Sequence, residues 1–326
     1  MNPKLIRTIV YISVSLAVFS IVCLTIINIY KENLRDLFLI KNTAQAGLID
    51  SEVLSFSIEE ITASQIPQNL KPIRDWSSED LKVPSKAAIC IETNLLDNNK
   101  VLFKKNESER LPIASLTKLM AALVVLENYD LEQTIMISEE AVNQLGEQGL
   151  FTAGEAFPAK NLLYVMLIES SNDAAYALAE IEGIQRFVDL MNLKAIKLGL
   201  LDSSFVDPTG LSSDNYSTAE DLVKLTKYLL ENHPLVWEIL SNQSYKLFTS
   251  QKEFHHDLVN TNELLGKIPE IIGGKTGSTL EAKGCLLLIL KNQNNQSNLI
   301  YIILGSDDRF GEMQQLIDWV SRAYKW

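Results

Sequence analysis

Three short motifs combine lysine, serine, asparagine and threonine at spacings that suit nucleophilic chemistry. The first is Ser115-Leu-Thr-Lys118. Residues three apart share a face of a helix, so the amine of this lysine can reach the serine hydroxyl. The apolar residues around it would desolvate the amine, and a pKa lowered by about three units would supply a neutral base near pH 7. Such a base can turn the serine into a nucleophile. The alternative is an ordinary helix start whose lysine extends its amine to solvent.

The second motif, Lys275-Thr276-Gly277, is followed by Ser278 and then by the strand-like run GCLLLIL. At the edge of a strand it would offer an ammonium group, a hydroxyl and a backbone that a ligand can approach closely at glycine. These features suit a substrate carboxylate and an oxyanion. The alternative interpretation is a plain turn between two strands.

The third motif is Ser170-Ser-Asn172, within IESSNDAA. A serine hydroxyl can relay a proton, and an asparagine amide can orient both a base and a substrate carbonyl. The alternative is a helix N-cap, where serine and asparagine are favoured. The pattern recurs at Ser213-Asp214-Asn215, so the surrounding sequence must decide between the two.

Charge and cysteine content exclude some classes of function. The chain has 41 acidic and 29 basic residues and a net charge of −12, which argues against binding the nucleic acid backbone. Of the three cysteines, Cys23 lies in an N-terminal apolar run, and Cys90 and Cys285 lie in strand-like apolar runs. Buried thiols are therefore favoured over a disulfide.

The histidines give no sign of a metal site. They are His233 and the adjacent pair His255–His256, and no zinc-ligand spacing accompanies them. Because the three motifs can act through side chains alone, we predict that the protein needs no cofactor and no metal.

The elements that must position these motifs indicate an α+β domain over residues 84–326. Strand-like segments follow Pro84, around the turn-rich LLDNN, and recur after residue 283, while helical patterns fill the sequence between them. An antiparallel sheet must therefore join N-terminal and C-terminal strands and be flanked by helices. The helical patterns include KNLLYVMLIESSNDAAYALAEI, which carries the third motif.

The N-terminus has the features of a signal anchor. Residues 8–30 contain no charge and are long enough to cross a bilayer as a helix. A cleaved signal peptide would need a small-x-small site close behind, and Ala44-x-Ala46 lies well past the apolar end. We therefore predict a tail and transmembrane anchor over residues 1–30 and a stalk over residues 31–83.

The three motifs, in this order, resemble those of the serine penicillin-recognising enzymes, and most closely the low-molecular-mass D-alanyl-D-alanine carboxypeptidases. The resemblance spans roughly residues 84–324 and includes RLPIASLTKLMAAL, GEAFPAKNLLYVMLIESSNDAA, FVDPTGLSSDNYSTAEDLVKL and GGKTGSTLEAKGC. It implies a β-lactamase-like α+β fold. It also identifies Ser170–Asn172 as the functional motif and leaves Ser213–Asn215 without a known catalytic role.

The resemblance assigns a role to each matching residue. Ser115 would be acylated, and Lys118 would be its base. Ser170 and Lys275 would pass a proton to the departing D-alanine. Asn172 would orient the base and the substrate carbonyl. Thr276 would hold the substrate carboxylate. The oxyanion hole would be formed by the backbone N–H groups of Ser115 and Ser278, beside Gly277. Arg309 falls where a carboxylate-binding arginine is common. One departure is Lys283, where these enzymes usually have glycine.

The implied activity is removal of the terminal D-alanine from peptidoglycan stem peptides, with β-lactams as acylating inhibitors. An endopeptidase acting on cross-links would use the same residues and stays open. A β-lactamase is disfavoured, because the Glu-x-x-Leu-Asn string that some of them use is absent between Asn172 and Lys275. A catalytically silent, membrane-anchored binding protein is also disfavoured, because it would not need a desolvated lysine. Since peptidoglycan lies outside the cell membrane, residues 31–326 are expected on the extracytoplasmic side.

Overall fold

The computed structural model describes residues 72–93, 99–146, 149–292 and 297–326. The predicted membrane segment at residues 8–30, and the predicted stalk up to residue 71, lie outside the described residues. Within the described ranges, no helix is both long enough and apolar enough to span a bilayer.

The described strands, in chain order, are β1 (Ile73–Arg74), β2 (Ala87–Thr93), β3 (Lys100–Lys105), β4 (Leu111–Pro112), β5 (Thr134–Met136), β6 (Ala156–Pro158), β7 (Tyr216–Ser217), β8 (Ser244–Phe248), β9 (Phe254–Val259), β10 (Ile271–Thr279), β11 (Lys283–Lys291), β12 (Asn298–Ser306) and β13 (Tyr324–Lys325).

The described helices are α1 (Thr117–Asn128), α2 (Glu139–Val142), α3 (Ala159–Ile168), α4 (Asn172–Glu180), α5 (Ile184–Lys197), α6 (Ala219–Asn232), α7 (Leu235–Leu240) and α8 (Arg309–Ala323). A 3₁₀ turn over Ala114–Leu116 leads into α1.

The largest sheet joins the two ends of the domain, as the sequence predicts. Its five strands lie in the order β10-β11-β12-β2-β3, and every neighbouring pair is antiparallel. The α+β prediction with an antiparallel sheet is therefore confirmed. The strand β10, which contains Lys275 and Thr276, forms one edge of this sheet.

Both faces of the sheet are covered, which explains the continuous apolar runs of its central strands. Alternate side chains of a strand point to opposite faces. On one face Ile89 and Leu287 pack with the helices of the inserted segment. On the other face Cys90 and Leu288 pack with Leu316 and the rest of α8.

One predicted helical pattern is divided in the structure. The segment from Lys160 to Ile181 forms two helices, because α3 ends at Ile168 and α4 begins at Asn172. The Oγ atom of Ser171 accepts a hydrogen bond from Ala174 N at 3.2 Å and so caps α4. Ser170 has a φ of 65°, which a continuing α-helix does not allow. The third motif therefore lies in the break.

Residues 72–83, which the sequence places in the stalk, lie against the end of the domain. Strand β1 pairs with β13. The guanidinium of Arg74 lies 4.7 Å from the ring centre of Trp319, and Trp319 Nε1 donates to Glu79 O at 2.8 Å.

The two described cysteines, Cys90 and Cys285, are buried free thiols. Burial raises the pKa of the Cys285 thiol to about 11, which keeps it protonated and poorly nucleophilic at neutral pH.

Candidate active site

Ser115 and Lys118 face each other at the start of α1. The 3₁₀ turn presents Ser115 partly to solvent, and Lys118 one turn later is completely buried. Lys118 Nζ lies 3.0 Å from Ser115 Oγ. The i, i+3 spacing therefore produces the contact that a serine nucleophile and a lysine base require.

Lys118 is held by two further acceptors. Its Nζ donates to Asn172 Oδ1 and to the carbonyl oxygen of Thr209, each at 2.6 Å. Burial lowers the pKa of Lys118 to about 7, against an opposing effect of the Asp207 charge. A large share of the molecules therefore has a neutral amine near pH 7, and that amine can accept the proton of Ser115.

Asn172 has a fixed orientation. It is the first residue of α4, and its Nδ2 donates to the carbonyl oxygen of Leu145 at 2.5 Å. Its Oδ1 is thereby directed at Lys118. The loop that carries Leu145 therefore determines which end of this amide faces the base.

A second lysine and a second serine form a matching pair. Lys275 Nζ donates to Ser170 Oγ at 2.7 Å and to its neighbour's carbonyl, Thr276 O, at 2.9 Å. Lys275 is buried, and burial lowers its pKa well below the usual lysine value, helped by the positive charges of Lys118 and Arg309. The site thus contains two serine–lysine pairs in which each amine is desolvated.

Strand β10 lies close to the nucleophile at Gly277. A Cβ atom on Gly277 would lie 2.9 Å from Ser115 N and 3.0 Å from Ile113 O. Only glycine fits at this separation, and the strand is thereby brought alongside the Ser115 backbone N–H. Ser278, which follows, is exposed. The sequence resemblance assigns the oxyanion hole to the backbone N–H groups of Ser115 and Ser278.

The two residues predicted to bind carboxylate differ in their surroundings. Thr276 is buried, and its Oγ1 forms a 2.6 Å hydrogen bond with Thr261 Oγ1. Arg309 begins α8, and its Nη1 donates to Gly277 O at 3.0 Å. A cavity of about 220 Å³ adjoins Arg309 and Ser278. Arg309 is therefore attached to the end of β10.

Comparisons with known proteins identify the family of the chain. Residues 75–308 match the family model described as D-alanyl-D-alanine carboxypeptidase. The chain belongs to this family. The carboxypeptidase family assignment covers every residue of the site described above except Arg309, which lies one residue past the matched range.

Relatives in the carboxypeptidase family include enzymes of two names. The chain is 35% identical to the D-alanyl-D-alanine carboxypeptidase DacF of Bacillus subtilis over 76% of its own length and 65% of that protein. It is 31% identical to a D-alanyl-D-alanine endopeptidase of Pseudomonas aeruginosa over 84% of its own length and 85% of that protein. The chain thus spans less than two thirds of DacF.

Solved structures in the carboxypeptidase family share the fold. The D-alanyl-D-alanine carboxypeptidase of Mycobacterium tuberculosis has a TM-score of 0.67 at 28% identity, covering 76% of this chain and 95% of that chain. The DD-transpeptidase of Streptomyces has a TM-score of 0.67 at 26% identity, covering 75% and 99%.

No role is predicted from the sequence for the loop whose Thr209 carbonyl accepts from Lys118. Asp207 Oδ1 accepts from Thr209 N, Thr209 Oγ1 and Gly210 N, each at 2.7 Å. This turn directs the Thr209 carbonyl at the base. A backbone acceptor leaves no side-chain signature, and the only signal of this turn in the sequence is the dipeptide Thr209-Gly210. Asn215, from the repeated Ser-x-Asn pattern, donates to Asp207 Oδ2 at 2.6 Å and supports the turn.

Lys283 occupies a position with left-handed backbone geometry. Its φ is 55°, at the first residue of β11, where glycine would have no steric penalty. The backbone geometry therefore suits the glycine that the sequence resemblance leads one to expect here. The Lys283 side chain instead forms an ion pair with Asp307 at 2.9 Å.

Proposed function

We propose that the protein is a serine DD-carboxypeptidase, which removes the terminal D-alanine from peptidoglycan stem peptides through an acyl-enzyme on Ser115. The observation that carries this proposal is the buried Lys118 amine, 3.0 Å from Ser115 Oγ, with its pKa lowered to about 7 by burial. A structural helix start has no need of a desolvated base beside an accessible hydroxyl.

In the acylation step, Ser115 Oγ attacks the carbonyl carbon of the penultimate D-alanine while Lys118 Nζ takes the hydroxyl proton. The carbonyl oxygen becomes an oxyanion beside the backbone N–H groups of Ser115 and Ser278. The peptide C–N bond then breaks, and the departing amine receives a proton from Ser170 Oγ, which Lys275 resupplies. Water subsequently hydrolyses the ester and releases the shortened peptide.

The terminal carboxylate of the substrate supports the same assignment. The β10 edge offers it the Lys275 amine and the Thr276 hydroxyl, and the start of α8 offers the Arg309 guanidinium. Because Arg309 already donates to Gly277 O, it would act on the carboxylate with its remaining N–H groups, from beside the strand.

The direct test uses the full chain and a Ser115→Ala variant. Each is incubated with a stem pentapeptide ending in D-Ala-D-Ala, and the products are weighed by mass spectrometry. We expect loss of one alanine with the wild-type chain and none with the variant. An unchanged pentapeptide in both reactions would contradict carboxypeptidase activity.

A DD-endopeptidase is the second candidate, because several relatives, including the protein from Pseudomonas aeruginosa, are endopeptidases by name. Cross-linked muropeptides distinguish the two activities. Cleavage of the cross-link with an intact pentapeptide would replace the first proposal with the second. Labelled penicillin tests the shared chemistry, because it should form an adduct on Ser115 that is lost in Ser115→Ala.

We also propose that residues 8–30 anchor the chain in the cell membrane with residues 31–326 outside. The support is the uncharged apolar run together with the extracytoplasmic location of the proposed substrate. Protease added to intact cells should then cut the stalk and release the domain. Full protection from the protease would contradict this topology.

A further inference from the structure

The adjacent histidines on β9 lie in a chain of four titratable side chains. His255 Nδ1 and His256 Nδ1 are 2.5 Å apart. The other ring nitrogen of His255 lies 3.3 Å from Glu155 Oε1, and that of His256 lies 3.3 Å from Glu169 Oε2. The four side chains therefore follow one another as carboxylate, imidazole, imidazole, carboxylate. The two contacts of His256 are hydrogen bonds, and the contact of His255 with Glu155 is an ion-pair distance.

Counting protons fixes the charge of the pair. His256 Nε2 must carry a proton to donate to Glu169, and a proton on His255 Nε2 makes its 3.3 Å approach to the Glu155 carboxylate an attraction between opposite charges. The Nδ1–Nδ1 contact accommodates one proton and excludes a second. The satisfied state thus has three protons on four ring nitrogens, which is one positive charge shared by His255 and His256. Two neutral rings would supply two protons and leave one contact between two acceptors.

Glu169, the last of these four side chains, holds the third motif in place. Glu169 immediately precedes Ser170, whose φ is 65°. The Glu169 carboxylate accepts from Gly149 N at 3.2 Å and from Val259 N at 3.4 Å. Gly149 in turn packs on Ser171, since a Cβ there would lie 2.8 Å from Ser171 Oγ. Glu169 thus joins α3, β9 and the loop beside the motif.

The surroundings leave the two carboxylates as the partners of the rings. His255 and His256 have side-chain exposures of 12% and 14%. The rings of Phe151 and Phe157 pack on His255. Within the described residues, no group of three or more His, Cys, Asp or Glu side chains is arranged to hold a metal.

We propose that Glu155, His255, His256 and Glu169 form a proton-dependent brace that positions Ser170, and that the brace is complete only when the histidine pair carries a single positive charge. The inference rests on the proposed function for its kinetic consequence, because Ser170 is the proposed proton donor to the leaving group. The four brace residues are positioning residues, and the brace itself is defined by their contacts alone.

The brace predicts a specific loss of activity at alkaline pH. When rising pH removes the third proton, the brace loses one of its three contacts. Ser170 would then be less well placed, and kcat on the stem pentapeptide should fall while KM changes little. A purely structural role for the pair would not link kcat to pH in this way.

The kinetic test compares His256→Gln, His256→Phe and a matched control, His233→Gln, in the full chain. Glutamine can donate to Glu169 at any pH, so kcat of His256→Gln relative to wild type should rise at least threefold between pH 6 and pH 9. His256→Phe cannot donate, and its kcat should fall at least tenfold at pH 6. His233 has a similar contact with Glu127 Oε1, at 3.4 Å, near the C-terminal end of α1 and away from Ser115, so His233→Gln should follow the wild-type profile. Identical profiles for wild type and both His256 variants would overturn the brace.

A second measurement does not depend on enzymatic activity. Ring-nitrogen NMR of the ¹⁵N-histidine-labelled full chain at pH 6.5 should show three protonated nitrogens in the His255–His256 pair. Two neutral rings at that pH would overturn the proposal. If the wild-type chain fails to process the pentapeptide, the proposed function fails while this spectrum still decides the brace.

Discussion

Two buried lysines in one small site are electrostatically costly, and their partners explain how the site keeps both. Lys118 and Lys275 each contact a different serine. Burial lowers the pKa of each lysine, and the charge of Lys118 further lowers that of Lys275. Because two adjacent cations repel, protonation of one disfavours protonation of the other. This arrangement suits one amine that accepts a proton and one that supplies it.

The lowered pKa of Lys118 predicts the pH dependence of acylation. Only the neutral amine can accept the Ser115 proton, and the neutral fraction rises with pH through the pKa of about 7. The rate of acylation by labelled penicillin should therefore rise about tenfold between pH 6 and pH 8. Stopped-flow measurement would show this rise, and Lys118→Met should form almost no adduct. A flat profile would contradict a role for Lys118 as base.

Lys283 predicts a stabilising substitution at a single residue. Its left-handed backbone, with φ of 55°, costs a non-glycine residue about 1–2 kcal/mol, and its exposed ion pair with Asp307 contributes little. Lys283→Gly should therefore be about 1 kcal/mol more stable than Lys283→Ala, which removes the ion pair and keeps the strain. Urea unfolding of both variants measures the difference. Equal stabilities would show that the backbone at Lys283 is not strained.

At this scale, what the sequence predicts depends on how local the contact is. Ser115 and Lys118 are one helical turn apart, so their contact follows from spacing alone. The contact between Ser170 and Lys275 spans 105 positions, and only the family resemblance associates these residues. The carbonyl of Thr209 and the left-handed backbone of Ser170 are main-chain features, and no side-chain pattern reports them.

At the scale of elements, the site forms where regular structure is interrupted. Ser115 lies in a 3₁₀ turn before α1, and Ser170 lies between α3 and α4. Lys275 comes from β10, which has a sheet neighbour on one side only. An edge strand leaves backbone groups available to a substrate on its free side. The three motifs meet at that free edge.

The close approach of the Asp207–Asn215 loop to Ser115 predicts a sensitive glycine. A Cβ atom on Gly210, whose φ is 87°, would lie 2.0 Å from Ala114 O. Gly210→Ala should therefore displace the 3₁₀ turn and lower the rate of penicillin acylation at least a hundredfold. Gly199→Ala is the control, because Gly199 has a φ of 69° and open space around its Cβ position. The control should lose about 1 kcal/mol of stability and keep its acylation rate. Equal effects would show that backbone strain, and not the contact, explains Gly210.

The sequence predicts long elements better than interruptions. Apolar runs identify β2, β11 and β12, and helical periodicity identifies α5 and α6, because each buries a continuous apolar face. The break after Ile168 is hidden within a pattern that stays helical on both sides. Its cause is local, since Ser171 caps α4 and Glu169 is held from outside the helix.

At the scale of the whole domain, both ends of the described chain meet on one side of the sheet. The strand β1 pairs with β13, and the aromatic rings of Trp319 and Tyr324 surround Arg74. Arg74 also donates to Ala323 O at 3.2 Å, at the end of α8. Residues 72–83 therefore close the same face of the sheet that α8 covers, although their composition resembles that of a stalk.

This closure predicts the consequence of truncating the domain. A fragment of residues 84–326 loses the β1–β13 pairing, the Arg74 cation–π contacts and the hydrogen bond from Trp319 Nε1 to Glu79 O. A desolvated cation–π contact alone contributes up to about 2 kcal/mol, and each kcal/mol shifts the unfolding midpoint by roughly 2–4 °C at this size. The fragment should therefore unfold at least about 5 °C below a fragment of residues 72–326, as measured by circular dichroism. Arg74→Ala in the longer fragment should lower the unfolding midpoint by part of that difference, because it removes the side-chain contacts and leaves the strand pairing. Equal midpoints for the two fragments would show that residues 72–83 rest on the domain without stabilising it.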